Sequence, residues 1–349
     1  MRPILQINDV SRTFKLGGMF FGKKIAAVDQ VAIELPGDKP QIMSIVGESG
    51  SGKTTLAKLI LRLLDPSSGT IVLDGVPLSA YNKRDKRKEF LKKVQPIFQN
   101  PFTSFSARKT VDTYLFETAM NLDVAANKKE ALAVVTDVLK SVGLEYAHIK
   151  GKYPNQFSGG ELQRISIARA LIPKPSLIVA DEPVAMIDAS LRMNIVNLFK
   201  KLKDEYNVNF IYITHDLSTA YYVSDYIATM YKGNLIEFGH ARNILNNPSH
   251  PYTELLLDSI PRVGKKWAED ALLADFESKQ ESEAGCKFAG RCPYAKDVCH
   301  SVEPYMVHLD TEHKVLCLKH NDYKTGNLAF VHKNSNHSDK KDNSHSISG

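Results

Sequence analysis

The chain has 349 residues, 43% of them hydrophobic and 24% charged, which is the composition of a globular chain large enough for one large core or two domains. The formal net charge of +6 is largely local to residues 83–93, where no aromatics interleave with the charges to stack bases, so nucleic acid is not an expected partner. The opening MRPILQINDV has neither a basic leader nor a small-residue cleavage site, and no apolar run approaches the roughly 18 residues of a membrane span, so the expectation is a cytosolic protein.

The first strong element in chain order is IMSIV, residues 42–46, a short apolar run that reads as a buried parallel strand. GESGSGKTT follows at once. Residues 47–54 fit G-x-x-x-x-G-K-[ST] between that strand and the helical TLAKLILRLL. Glycines at these positions let backbone N–H groups wrap phosphate oxygens, and the helix N-terminus adds its positive end. Lys53 then reaches the β- and γ-phosphates and Thr54 ligates magnesium. KRDKRKEFLKK, residues 83–93, carries seven basic and two acidic residues and reads as a solvated helix with Phe90 and Leu91 as its apolar anchors. In KKEALAVVTDVLKSVGL, Leu132, Val135, Val138, Leu139 and Val142 recur at helical spacing, and Gly143 is the expected stop.

Two further apolar runs, LIVA at 177–180 and FIYI at 210–213, read as buried strands, and strands alternating with helices imply an α/β class with a covered parallel sheet. LIVADEP ends in two acids with different work. Asp181 would enter the magnesium shell, and Glu182 would orient and deprotonate the water that attacks the γ-phosphate. After about residue 245 the alternation fades: NNPSHP reads as a linker, and beyond Phe330 the sequence is too polar to fold.

With those motifs in place the chain resembles the ATP-binding subunits of ABC transporters, whose L-S-G-G-Q marker reads FSGGE at 157–161 before LQRISIARAL. Ser158, the amides of Gly159 and Gly160 and a helix N-terminus can together hold an anion. The resemblance implies that this turn contacts the γ-phosphate bound to the opposite subunit, so that two ATP molecules are sandwiched in a dimer. Glu161 stands in place of the usual Gln, and its carboxylate is expected to point away or to tune affinity.

The same resemblance implies an ATP site built from Gly47, Glu48, Ser49, Gly50, Ser51, Gly52, Lys53, Thr54 and Thr55 together with Asp181. Gln99 in IFQNPF would sense magnesium and water, joining Thr54 and Asp181 around the Mg2+ ion. His215 in YITHDL would contact the γ-phosphate and the attacking water. Asp188 in AMIDAS would line the dimer interface, although Ala185 and Ile187 stand where the family has Ser and Leu. Phe14 in VSRTF would stack on adenine, with Phe20 and Phe21 as alternatives. The implied fold is a RecA-like P-loop NTPase core over 1–245 with a helical subdomain inserted at about 100–165, a C-terminal extension over 246–330 and a disordered tail over 331–349. A soluble ABC protein acting on DNA or ribosomes would be favoured by two cassettes, and only one is present. A non-hydrolysing adaptor is disfavoured by the retained Glu182 and His215.

HPYTELLLDSIPR and the cysteine-rich segment after it resemble the oligopeptide and dipeptide importer branch. That implies two transmembrane permease subunits, a second, different ATPase subunit, an extracytoplasmic solute-binding protein and a position on the cytoplasmic face of the membrane. NPFTSF offers Phe102 and Phe105 to a permease helix. Nickel and oligosaccharide importers share the branch, so the solute does not follow from it. Cys286, Cys292, Cys299 and Cys317 are spaced C-x5-C-x6-C-x17-C. A disulfide framework suits a cytosolic chain poorly, and zinc favours tighter pairs. A [4Fe–4S] cluster takes one thiolate per iron and these spacings can reach its corners. Since the branch includes cluster-bearing members, the expected cofactors are ATP, Mg2+ and a structural [4Fe–4S] cluster, with zinc as the alternative and metal-free thiols as a third reading.

Overall fold

The computed structural model describes residues 2–16, 23–260 and 284–320. Phe20, Phe21 and the tail at 331–349 lie outside the described residues.

An antiparallel pair, β1 (Leu5–Leu16) and β2 (Lys23–Leu35), joins β4 (Ser68–Leu73) and β5 (Val76–Pro77) in a four-stranded sheet. The remaining strands form a larger sheet. IMSIV becomes β3 (Ile42–Val46), and β6 (Val94–Ile97), β7 (Leu177–Asp181), β8 (Asn209–Thr214) and β9 (Tyr226–Tyr231) run parallel to it. The strand order is β11-β12-β10-β9-β3-β8-β7-β6, where β10 is Asn234–His240, β11 Val307–His308 and β12 Lys314–Val315. The last two strands come from the cysteine-rich extension, which thus continues the main sheet by pairing Glu237 and Phe238 with Val315 and Lys314.

Continuous apolar runs suit strands buried on both faces. Ile42, Ile178, Ala180, Phe210 and Tyr212 face one core, and Met43, Ile45, Leu177, Val179, Ile211 and Ile213 face the other. The second core lies under the four-stranded sheet and α1 (Lys53–Ile60). The first is continuous with the helical subdomain, formed by α3 (Val111–Asn121), α4 (Lys128–Ser141), α5 (Tyr146–Ile149) and the start of α6 (Gly159–Leu171).

Two sequence expectations need correction here. In α4 the core side chain is Ala131, whereas Leu132 is 38% exposed, because the helix turns its stripe one position from the one the larger residues suggest. In α2 (Arg84–Lys93) Phe90 is buried against Tyr81 with ring centroids 5.5 Å apart, while Leu91 is exposed and anchors nothing. Gly143 does take a positive φ of 74° just past α4, the conformation of a helix stop.

Candidate active site

Parallel strands direct their C-terminal ends to one edge of the sheet, and the turns there gather the chemistry. The loop after β3 is cramped by its neighbours. A Cβ on Gly47 would lie 2.2 Å from the Met230 carbonyl oxygen, and one on Gly52 would lie 2.2 Å from that of Ala27. Gly52 also takes a φ of 103°, so glycine is required on both steric and conformational grounds. The loop wraps inward, and the Lys53 ammonium donates to the carbonyls of Gly47 at 2.6 Å and Glu48 at 2.9 Å. Burial lowers the Lys53 pKa, while Glu182, Asp181 and Glu48 oppose that shift. The loop carbonyls therefore hold a partly desolvated cation at the entrance to α1.

Thr54 and Asp181 meet across the gap between α1 and β7, the hydroxyl donating to a carboxylate oxygen at 3.4 Å. Burial raises the Asp181 pKa, and the nearby Glu182 acts in the same direction. A cation between Thr54 and Asp181 would reverse that burden, which is what a hard oxygen-ligand set for Mg2+ supplies. Glu182 sits at a φ of 50°, a left-handed conformation worth about 1–3 kcal/mol of strain in a non-glycine residue. Its N–H donates to the Ile213 carbonyl at 2.8 Å, which ties the strained turn to β8. The side chain is thereby turned toward His215, whose Nδ1 lies 2.8 Å from Oε1. Lys53, Thr54, Asp181, Glu182 and His215 thus come together from the ends of β3, β7 and β8.

The other candidates lie on other elements. Gln99 is exposed two residues past β6. Phe14 lies on β1 with the Arg12 guanidinium 4.9 Å from its ring centroid. Asp188 is exposed at the start of α7 (Ala189–Tyr206), and Ile187 is buried in the core, so the Ile in place of Leu still anchors this loop. Ser158 caps α6, and a Cβ on Gly159 would approach the Met186 carbonyl to 3.1 Å, so the marker turn packs against the Asp188 loop. Glu161 does not point away. Its carboxylate accepts from the Ser158 amide and hydroxyl, both at 2.9 Å, while the Glu161 amide donates to Ser158 Oγ. These contacts form a reciprocal cap, and His148 Nε2 holds the other carboxylate oxygen at 2.9 Å. The Ser158 backbone, then its hydroxyl and His148, hold the Glu161 pKa below the usual range.

Phe105 is also corrected. It is 3% exposed, stacked edge-on against Tyr114 at 5.3 Å, and belongs to the core of the helical subdomain. Phe102, at 44% exposure, remains on the surface, and Phe98 joins it at 40%.

Sequence reasoning missed the residues that reach the phosphate loop from the C-terminal extension. The Tyr252 hydroxyl, on α10 (Pro251–Asp258), accepts from the Glu48 amide at 2.9 Å. Arg291 donates to both Glu48 carboxylate oxygens, at 2.8 and 2.7 Å. The His-Pro-Tyr motif was a visible signal for the first; no local pattern marks the second. Near Arg291 the four cysteines influence one another electrostatically: Cys317 senses Cys286, Cys292 and Cys299, and burial raises its pKa to about 11. Backbone amides of Phe288 and Ala289 face the Cys286 sulfur, that of Tyr294 faces Cys292 and that of Lys319 faces Cys317. Among the described residues no group of three or more His, Cys, Asp or Glu side chains stands close enough to hold a metal ion, so neither the expected [4Fe–4S] cluster nor the zinc alternative gains support there.

Comparison with known proteins separates the same two regions. Residues 31–185 match the ABC transporter family model, and residues 236–299 match the C-terminal region of oligopeptide/dipeptide transporters. The oligopeptide transport ATP-binding protein AppF of Bacillus subtilis is 36% identical over 321 residues, 90% of this chain and 96% of its own length. The oligopeptide transport ATP-binding protein AmiF of Streptococcus pneumoniae is 38% identical over 258 residues, 74% of this chain and 82% of its own. Among solved structures, the dimeric cassette MJ0796 in a post-hydrolysis state bound to ADP and phosphate superposes with a TM-score of 0.59 at 27% identity, over 68% of this chain and 99% of its own.

Proposed function

The chain belongs to the ATP-binding subunits of ABC transporters, in the branch that carries the oligopeptide/dipeptide C-terminal region, and on that premise we propose that it hydrolyses ATP to power peptide import. The observation that carries the catalytic reading is the assembly of Lys53, Thr54, Asp181, Glu182 and His215 at one sheet edge. Lys53 exchanges its loop carbonyls for the phosphates. Thr54 and Asp181, with Gln99 completing the set, would hold Mg2+, which neutralises phosphate charge when bound. Glu182 accepts the proton of the attacking water as the oxygen bonds to the γ-phosphorus and the bond to the β-phosphate breaks, releasing ADP and phosphate. His215 fixes the Glu182 carboxylate and faces the same space.

Ser158, Gly159, Gly160 and Asp188 serve the site of a second ATPase subunit rather than their own, a reading supported by the dimeric MJ0796 cassette that this fold matches. Phe14 supplies the adenine stack. The second subunit is a homologous, different ATPase, and Phe98 and Phe102 dock on two membrane permeases fed by an external solute-binding protein. Among the described residues no helix is long and apolar enough to cross a membrane, in keeping with peripheral attachment on the cytoplasmic face. Reconstitution of the complex in lipid vesicles tests the solute: short labelled peptides should accumulate only with ATP, whereas ATP-driven uptake of nickel or an oligosaccharide in their place would overturn the peptide assignment.

A second reading concerns Cys286, Cys292, Cys299 and Cys317. The backbone amides facing the Cys286, Cys292 and Cys317 sulfurs suit thiolates, the form that would hold a [4Fe–4S] cluster with a structural role. Protein purified without oxygen should contain iron and sulfide near four per chain, as the cluster's formula requires. Four free thiols with no metal would end that reading.

A further inference from the structure

The extension grips the phosphate loop at one residue, Glu48, and does so twice. Tyr252 accepts the Glu48 amide hydrogen, and Arg291 takes both carboxylate oxygens in a forked pair. Forked guanidinium–carboxylate pairs fix orientation as well as charge. Glu48 shares with Gly47 the carbonyls that hold the waiting Lys53 ammonium, and its carboxylate is among the charges that ammonium senses. Arg291 is most of the way buried, with the rings of Tyr231 and Phe288 within 5.8 Å of its guanidinium carbon. It occupies the turn Ala289–Arg291, which is closed at each end by a cysteine: the Ala289 amide donates to the Cys286 carbonyl and the Cys292 amide to the Ala289 carbonyl. Both contacts use the cysteine backbone, so a shift of the Cys286 or Cys292 backbone moves the anchor of the guanidinium. Lys287, one residue past Cys286, is also fixed to the core, by Asp29 at 2.8 Å, so the turn is held from both sides.

We propose that Arg291 is a positioning residue for the phosphate loop, and that through it the state of the cysteine module sets the affinity for ATP. The coupling is electrostatic. A free carboxylate in the loop competes with a polyphosphate for Lys53 and repels its charge; Arg291 both neutralises that carboxylate and holds it outward. ATP affinity is then highest when the cysteine-bounded turn is in the arrangement described here. This rests on residues 47–55 being the phosphate loop.

Equilibrium ATP binding to the full-length chain, purified without oxygen, tests the idea with four substitutions, alone and combined. Lys53→Ala checks the underlying site: undiminished binding there would refute the loop assignment itself. With the loop assignment intact, Arg291→Ala should raise the dissociation constant at least about fivefold, the low end of ordinary coupling between sites. Adding Glu48→Gln should return it to within about twofold of wild type, because the uncompensated carboxylate is gone. An Arg291→Ala protein that binds ATP normally, or a loss that Glu48→Gln does not relieve, would overturn the positioning role, the latter because a merely structural anchor would not be rescued there. Cys292→Ser should weaken ATP binding in the wild-type background and not in the Arg291→Ala, Glu48→Gln background. An equal shift in both, or none in either, would overturn the route from the cysteines.

Discussion

Glu182 combines three features that rarely coincide outside a functional site, namely a left-handed backbone, a hydrogen-bonded tie to the neighbouring strand and a side chain aimed at His215. Replacement by Gln keeps shape and hydrogen bonding to His215 but removes the proton acceptor. Glu182→Gln should bind ATP as wild type does and hydrolyse it slower by a factor on the order of a hundred or more. Parallel measurement of nucleotide binding and turnover checks this, and near-normal turnover would remove Glu182 from the reaction. These residues were legible in the sequence because each follows a short apolar strand, so strand ends alone place Lys53, Asp181 and His215 together. The Glu161 contacts were not. Whether a carboxylate turns out or folds back on Ser158 depends on His148, thirteen residues away and brought near by α5.

At the scale of elements, α10 is started by a histidine rather than by a usual cap. His250 Nδ1 accepts the Tyr252 amide hydrogen at 3.0 Å, so that nitrogen must stay unprotonated. Burial pushes the His250 pKa down to about 4, against the pull of Glu237 and with the help of His320. The sign follows directly. Between an unfolded value near 6.5 and the folded value the unfolded chain binds the extra proton, so stability is full above pH 6.5 and declines as pH falls toward 4. The whole contribution is about 3 kcal/mol. His250→Asn, which can cap without titrating, provides the reference: the stability advantage of wild type over the variant, measured by denaturant unfolding, should shrink across that window. A difference that stays constant from pH 7 to 4.5 would show that His250 is not the titrating group. The His-Pro-Tyr motif was legible as a family mark, while its physical use, fixing Tyr252 beneath Glu48, was not, since the two residues are 204 positions apart. Phe105 teaches the same point. An aromatic in a polar loop reads as a surface contact until α3 closes over it.

For the molecule as a whole, the alternating strands and helices made the α/β core readable. What composition could not show is that the cysteine-rich extension adds β11 and β12 to the same sheet and touches the phosphate loop, because strand pairs two residues long carry no periodicity. Ser158 to Gly160 lie at the start of α6, and under the proposed two-subunit sandwich one chain carries two half-sites rather than one complete one. Each ATP then needs a second subunit to supply a marker turn. The ATPase rate per chain, followed from dilute isolated protein to the complex assembled with its sister ATPase and permeases, tests this most directly. The rate should rise on the order of a hundredfold on assembly, the scale set by supplying missing donors to developing phosphate charge; a dilute, proven monomer that hydrolyses ATP at the full rate would contradict it.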